Sequence, residues 1–126
     1  MEVLLARHMG FCYGVRRAVD MAFAVENRGM AESLVTLGPL IHNPQMIENL
    51  RQRGVGVIDE LKDAGEASVL IRSHGVGPDV YDDAARRGID LRDATCPHVK
   101  RAQLAAKQFA DRGFQVIVAG EKNHQE

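Results

Sequence analysis

Short apolar runs alternate with longer stretches of helical period along this chain of 126 residues. Five of the runs lead through a loop bearing Cys or His into a helix start. They are LLARHMGFCYGV (Cys12), LVTLGPLIHNP (His42), VLIRSHGVGP (His74), IDLRDATCP (Cys96) and VIVAGEKNHQE (His124, Glu126). The runs predict strands at Val3 to Ala6, Leu34 to Leu37, Val55 to Ile58, Ser68 to Arg72, Ile89 to Arg92 and Val116 to Ala119. Helical spacing predicts a helix from Gly14 to Asn27, through Val15, Ala18, Val19, Ala22 and Val25, stopped by Gly29. A second runs from Pro44 to Arg53 and shows Met46, Ile47 and Leu50 on one face. A third runs from Pro78 to Arg87, and a fourth from His98 to Arg112 with Val99, Ala102, Ala106 and Phe109 inward. Asp59 to Glu66 has room for one or two helical turns. Proline suits the first turn of a helix, where its missing N–H costs nothing.

Strands alternating with helices imply an α/β fold, a parallel sheet flanked by helices. Every strand-to-helix loop then lies at the carboxyl edge, where such sheets bind ligands. Two thiols, three imidazoles and one carboxylate are therefore expected on one rim. A final strand with no helix after it leaves a sheet face uncovered, so position 126 reads as a cut.

Composition narrows the class. Hydrophobic residues make up 45% and charged residues 26%, a globular balance, and without Trp the core must be largely aliphatic. A net charge of −1 leaves no electrostatic footprint for nucleic acid. Arg16-Arg17 and Lys100-Arg101 read as solvated helix faces. No segment approaches the roughly 18 apolar residues of a membrane span, and the start lacks a basic, apolar leader. The chain is expected to be cytoplasmic, where two cysteines point to catalysis, metal binding or burial and not to a disulfide.

Cys12 and Cys96 both precede a helix, where backbone N–H groups and the helix dipole favour a thiolate. Two thiolates are too few for a closed zinc or iron–sulfur site. Further ligands must come from His42, His74, His124, a substrate, another chain or further sequence. His74 is followed by Gly75-Val76-Gly77-Pro78, and His42 precedes Asn43-Pro44. Imidazoles at helix starts suit a phosphate or diphosphate. Glu126 beside His124 has the chemistry to deliver a proton. Cys96, before Pro97, falls at an N-cap position. Thr95 has the chemistry to cap a helix, the default for it, or to hydrogen-bond substrate, and His8 and His98 have no distinguishing context.

The segments GFCYGVRRAV (10–19), GPLIHNP (38–44), RSHGV (72–76) and DATCPHVKR (93–101) resemble the 4-hydroxy-3-methylbut-2-enyl diphosphate reductase (LytB/IspH) family, over the whole chain from Val3 to Glu126. The resemblance implies a [4Fe–4S] cluster held by three cysteines, with Cys12 and Cys96 matching the first two and the third beyond residue 126. It implies that His42, His74 and His124 contact the substrate's diphosphate and that Glu126 delivers a proton. The implied reaction, in the non-mevalonate isoprenoid pathway, is a two-electron reductive dehydroxylation giving isopentenyl and dimethylallyl diphosphate. Electrons would come from a ferredoxin- or flavodoxin-type donor. The family usually reads His-Pro-Glu where this chain has His124-Gln125-Glu126.

Family members are more than twice this length, with three α/β domains in a trefoil around the cluster. On that basis residues 1–96 form the first domain and 97–126 begin the second, and the 126 residues alone are expected to be inactive. Two competing readings are a non-catalytic α/β module that binds a phosphorylated ligand and a zinc site of two Cys and two His.

Overall fold

The structure, a computed structural model, describes residues 2–26 and 33–120. Helix α1 spans Tyr13–Glu26, β1 Leu34–Leu37, α2 Pro44–Gln52 and β2 Gly56–Ile58. A single 3-10 turn at Leu61–Asp63 precedes β3 (Ser68–Ile71), α3 (Pro78–Arg87), β4 (Leu91–Asp93) and α4 (Pro97–Asp111). The predicted end of α1 at Asn27 and its stop at Gly29 lie outside the described residues.

Four strands form one parallel sheet in the order β2-β1-β3-β4. The chain leaves β1 toward one edge, then returns past it to build the other. The order therefore reverses between β1 and β3, the position where α/β sheets open a ligand crevice at their carboxyl ends. β3 is buried at every residue, as a central strand covered on both faces must be.

The two faces are packed separately. Ala18, Val19 and Ala22 of α1, with Leu40, Ile41 and Leu50, close one face over Leu34 and Leu70. Leu61, Ala64 and Ala84 close the other over Val69. The helix starts behave as their sequences imply. Asn43 caps α2, its Oδ1 accepting the Met46 N–H at 3.0 Å, and Pro44, Pro78 and Pro97 each open a helix.

Two predicted strands do not form. Residues 3–6 and 116–119 are irregular and exposed. A β-strand needs a neighbour to take up its backbone hydrogen bonds, and among the described residues no strand pairs with either segment. The inward face predicted for the last helix also fails. α4 buries none of its residues: Ala102 is exposed and Phe109 is 50% exposed, stacking edge-on with Phe114 at 5.9 Å. Its helical period is present, but the sheet does not extend beneath it.

Candidate functional site

Three of the loops that follow strands at the carboxyl edge carry the expected residues. The loop after β1 bears His42, the loop after β3 bears His74, and the turn after β4 bears Cys96. His42 and His74 flank the reversal in strand order, and their rings stand 5.1 Å apart, tilted by 42°. His42 is exposed and His74 half-buried.

Between these loops runs Arg72, at the end of β3. Its Nη1 lies so close to Gly38, in the loop after β1, that a Cβ there would sit 2.9 Å from it. The Arg72 Nε is buried and has no hydrogen-bond partner among the described residues. A cleft of about 790 Å³ opens here, lined by Arg72, His74, Gly75, Tyr81, Lys100 and Lys107 among others. Gly75 has φ +80°, and a Cβ there would meet Thr95 and Gln103 at 3.0 Å. Its left-handed conformation favours glycine, and its neighbours leave little room for a side chain.

Cys12 immediately precedes α1, and its carbonyl accepts the Arg16 N–H at 2.9 Å. Cys96 is the N-cap residue of α4, and its side chain makes no capping hydrogen bond. The two thiols belong to one neighbourhood. A Cβ on Gly14, in the first turn of α1, would stand 2.5 Å from Cys96 Sγ and 2.9 Å from Cys96 Cβ. Cys96 thus packs directly on the helix turn that Cys12 begins. Cys12 is exposed and Cys96 partly so.

The turn before Cys96 is braced on all sides. Asp93 Oδ1 accepts the Thr95 N–H at 2.8 Å, and the Ser73 carbonyl accepts the Cys96 N–H at 2.8 Å. Lys100 Nζ and Tyr81 Oη donate to Asp93 Oδ2 at 2.5 and 3.1 Å. Arg17, from α1, donates to the carbonyls of Asp93 and Thr95.

Burial alone would push the Asp93 carboxyl up, but hydrogen bonds from Lys100 and Thr95 outweigh it and hold it at about 2. Because this value is lower than in the unfolded chain, the ionised carboxylate stabilises the fold. That contribution is complete above about pH 4 and is lost as the pH falls toward about 2. Asp93→Asn is expected to flatten this acid limb, measured as the urea midpoint between pH 7 and pH 2.5. An acid limb as steep as the parent's would refute the assignment.

Several sequence readings need correction. Arg17 is not a solvated charge but is half-buried against the β4–α4 turn; Lys100 does lie on an exposed face, paired there with Asp93. Thr95 is buried but does not cap α4, because Cys96 occupies the N-cap position. The Asp-Ala-Thr sequence carried a usable signal, since Asp readily accepts the N–H two residues on. Arg72, Gly14 and Tyr81 had no such local signature. His124 and Glu126 lie outside the described residues. Among the described residues no three His, Cys, Asp or Glu side chains are gathered into a metal-holding group. Nor is any described helix long and apolar enough to cross a membrane.

Fold and site together define a parallel α/β module that carries thiols and imidazoles on loops at the carboxyl rim of its sheet. A family model described as LytB protein matches residues 3–126, and the chain belongs to that family. It is 42% identical over its full length to a 4-hydroxy-3-methylbut-2-enyl diphosphate reductase of Alkaliphilus oremlandii, covering 45% of that protein. It is 46% identical to the reductase so named from Geobacter sulfurreducens, covering 44% of it.

A solved structure of (E)-4-hydroxy-3-methyl-but-2-enyl diphosphate reductase, the terminal enzyme of the non-mevalonate pathway, superposes with a TM-score of 0.81 at 39% identity. The match covers 98% of this chain and 43% of that one. A solved structure of the E-1-hydroxy-2-methyl-but-2-enyl-4-diphosphate reductase from Plasmodium falciparum superposes with a TM-score of 0.85 at 26% identity, over 94% of this chain and 37% of that one. The chain spans less than half the length of these relatives.

Proposed function

We propose that this chain supplies the N-terminal part of a reductase acting on 4-hydroxy-3-methylbut-2-enyl diphosphate. The observation that carries the proposal is the packing of Cys96 Sγ on the helix turn begun by Cys12, at the same sheet rim as the paired His42 and His74. Cys12 and Cys96 hold two corners of a [4Fe–4S] cluster, and the third cysteine comes from beyond these 126 residues. The donor set fits: Cys12 is exposed and Cys96 partly so, each at the start of a helix, and sulfur is the donor such clusters take. When bound, the cluster supplies a Lewis-acidic iron and a route for electrons.

The protein's own side chains do the rest. His42, His74 and His124 bind the diphosphate, and Arg72, which lines the cleft with His74, adds a fixed positive charge beside it. That binding energy fixes the reacting carbon in place. The bond from carbon to the terminal hydroxyl breaks as two electrons and two protons enter. One proton, from Glu126, leaves with the oxygen as water, and the other ends on the carbon skeleton. A ferredoxin- or flavodoxin-type protein delivers the electrons singly. Residues 1–96 form the first domain and 97–126 open the second, in keeping with a helix α4 that buries nothing on this sheet. Cysteine ligands that must stay reduced suit the cytoplasm.

The test is anaerobic loading of the full-length protein with iron and sulfide, followed by reduction of the substrate with a one-electron dye. Product formation that requires the iron is the expected outcome. Tight binding of the diphosphate without turnover, unaffected by Cys12→Ser and Cys96→Ser, would instead leave a phosphate-binding module.

A further inference from the structure

We infer that Arg17 is a positioning residue for Cys96, fixing that thiol's place relative to Cys12. The inference rests on the assignment of both cysteines to one cluster. Arg17 lies on α1, on the turn after the one that Cys12 begins. Its Nη1 donates to the Thr95 carbonyl at 3.4 Å and its Nη2 to the Asp93 carbonyl at 3.3 Å. These two carbonyls belong to the end of β4 and to the residue just before Cys96. One guanidinium therefore ties the helix carrying the first thiol to the turn carrying the second.

The rest of the turn is held from other directions. Its N–H groups go to Asp93 Oδ1 and to the Ser73 carbonyl, and Gly14 leaves room for Cys96 Sγ against α1. The carbonyl side depends on Arg17. Arginine suits the task because its planar fork reaches two acceptors at once, whereas a lysine ammonium acts as a single point. Its neighbour Arg16 is exposed, while Arg17 is half-buried. Ligands that must share one cluster tolerate little displacement, so the residue that sets their spacing is expected to affect cluster retention without touching iron.

The test uses the full-length protein with Arg17→Met and Arg17→Lys, and Arg16→Met as a control on the same helix. In iron-free, reduced protein, alkylation rates at Cys12 and Cys96 are followed separately by peptide mass spectrometry. Arg17→Met is expected to speed alkylation of Cys96 several-fold more than that of Cys12, with Arg17→Lys intermediate and Arg16→Met like the parent. In loaded protein, Arg17→Met is expected to lose iron to a chelator about 10- to 100-fold faster, and its reduced cluster to show shifted electron paramagnetic resonance g-values.

Unchanged Cys96 alkylation with unchanged iron loss would overturn the inference, and so would equal acceleration at both cysteines, which marks general loosening. Should Arg17→Met fail to fold, Arg17→Lys decides by the same criteria. Full iron retention in Cys12→Ser and Cys96→Ser would defeat the underlying ligand assignment. The alkylation rates, which need no iron, would still decide whether Arg17 positions Cys96.

Discussion

Cys96→Ser in the full-length protein is expected to strip most of the iron and to cut substrate reduction about 1000-fold or more, with little change in the stability of the iron-free protein. The size follows from the several kcal/mol that Lewis-acid assistance supplies, at about 1.4 kcal/mol per tenfold in rate. Hydroxide is a poor leaving group from an allylic carbon, and no side chain described here replaces that assistance. The small effect on folding has a separate cause. Cys96 is an N-cap whose thiol makes no capping bond, and serine is among the best N-cap residues. The substitution therefore removes the proposed cluster ligand while leaving, or slightly strengthening, the start of α4. Iron per chain, the urea midpoint and the rate of product formation check the three parts. A Ser variant that keeps its iron and its rate would remove Cys96 from the site, and one that unfolds would make its role structural.

Gly14→Ala is expected to destabilise the protein by up to about 2 kcal/mol and to lower its iron content. An alanine inside a helix normally gains about 1 kcal/mol over glycine. Here the new Cβ would stand 2.5 Å from Cys96 Sγ and 2.9 Å from its Cβ, closer than carbon and sulfur tolerate. Rotating the thiol relieves only the first contact, so the backbone of one element must move, and overpacking of this kind costs about 1–3 kcal/mol. The clash outweighs the propensity gain. Thermal melting and iron analysis check the outcome. Adding Cys96→Ala should recover part of the lost stability, because it removes the atom in closest conflict. A Gly14→Ala protein that is more stable and fully loaded with iron would show that α1 does not press on Cys96.

Much of the site was legible because its signals are local. Cys12, His42, His74 and Cys96 could be placed on loops ahead of helices because glycine, asparagine and proline mark those boundaries within a few residues. Pro44, Pro78 and Pro97 open helices for the same reason. The reading of Arg17 failed because its partners, two backbone carbonyls, are distant in sequence. A carbonyl acceptor has no side-chain signature, so nothing in Arg16-Arg17 separated the bridging arginine from the solvated one. Residues 3–6 and 116–119 have strand-like patterns, but a pattern provides no neighbour for the backbone ladder.

By itself the sequence determined that this protein builds a parallel α/β sheet with His42, His74 and Cys96 on loops that follow its strands. Alternating periods and local turn chemistry dictate that much. Only the tertiary structure decided which of those groups meet. The order β2-β1-β3-β4 brings the His42 and His74 loops together across the reversal between β1 and β3. The packing of α1 sets Cys96 on the turn begun by Cys12. Strand order and helix packing depend on contacts between distant segments, which are selected by the burial of two sheet faces at once and leave no periodic trace in the chain.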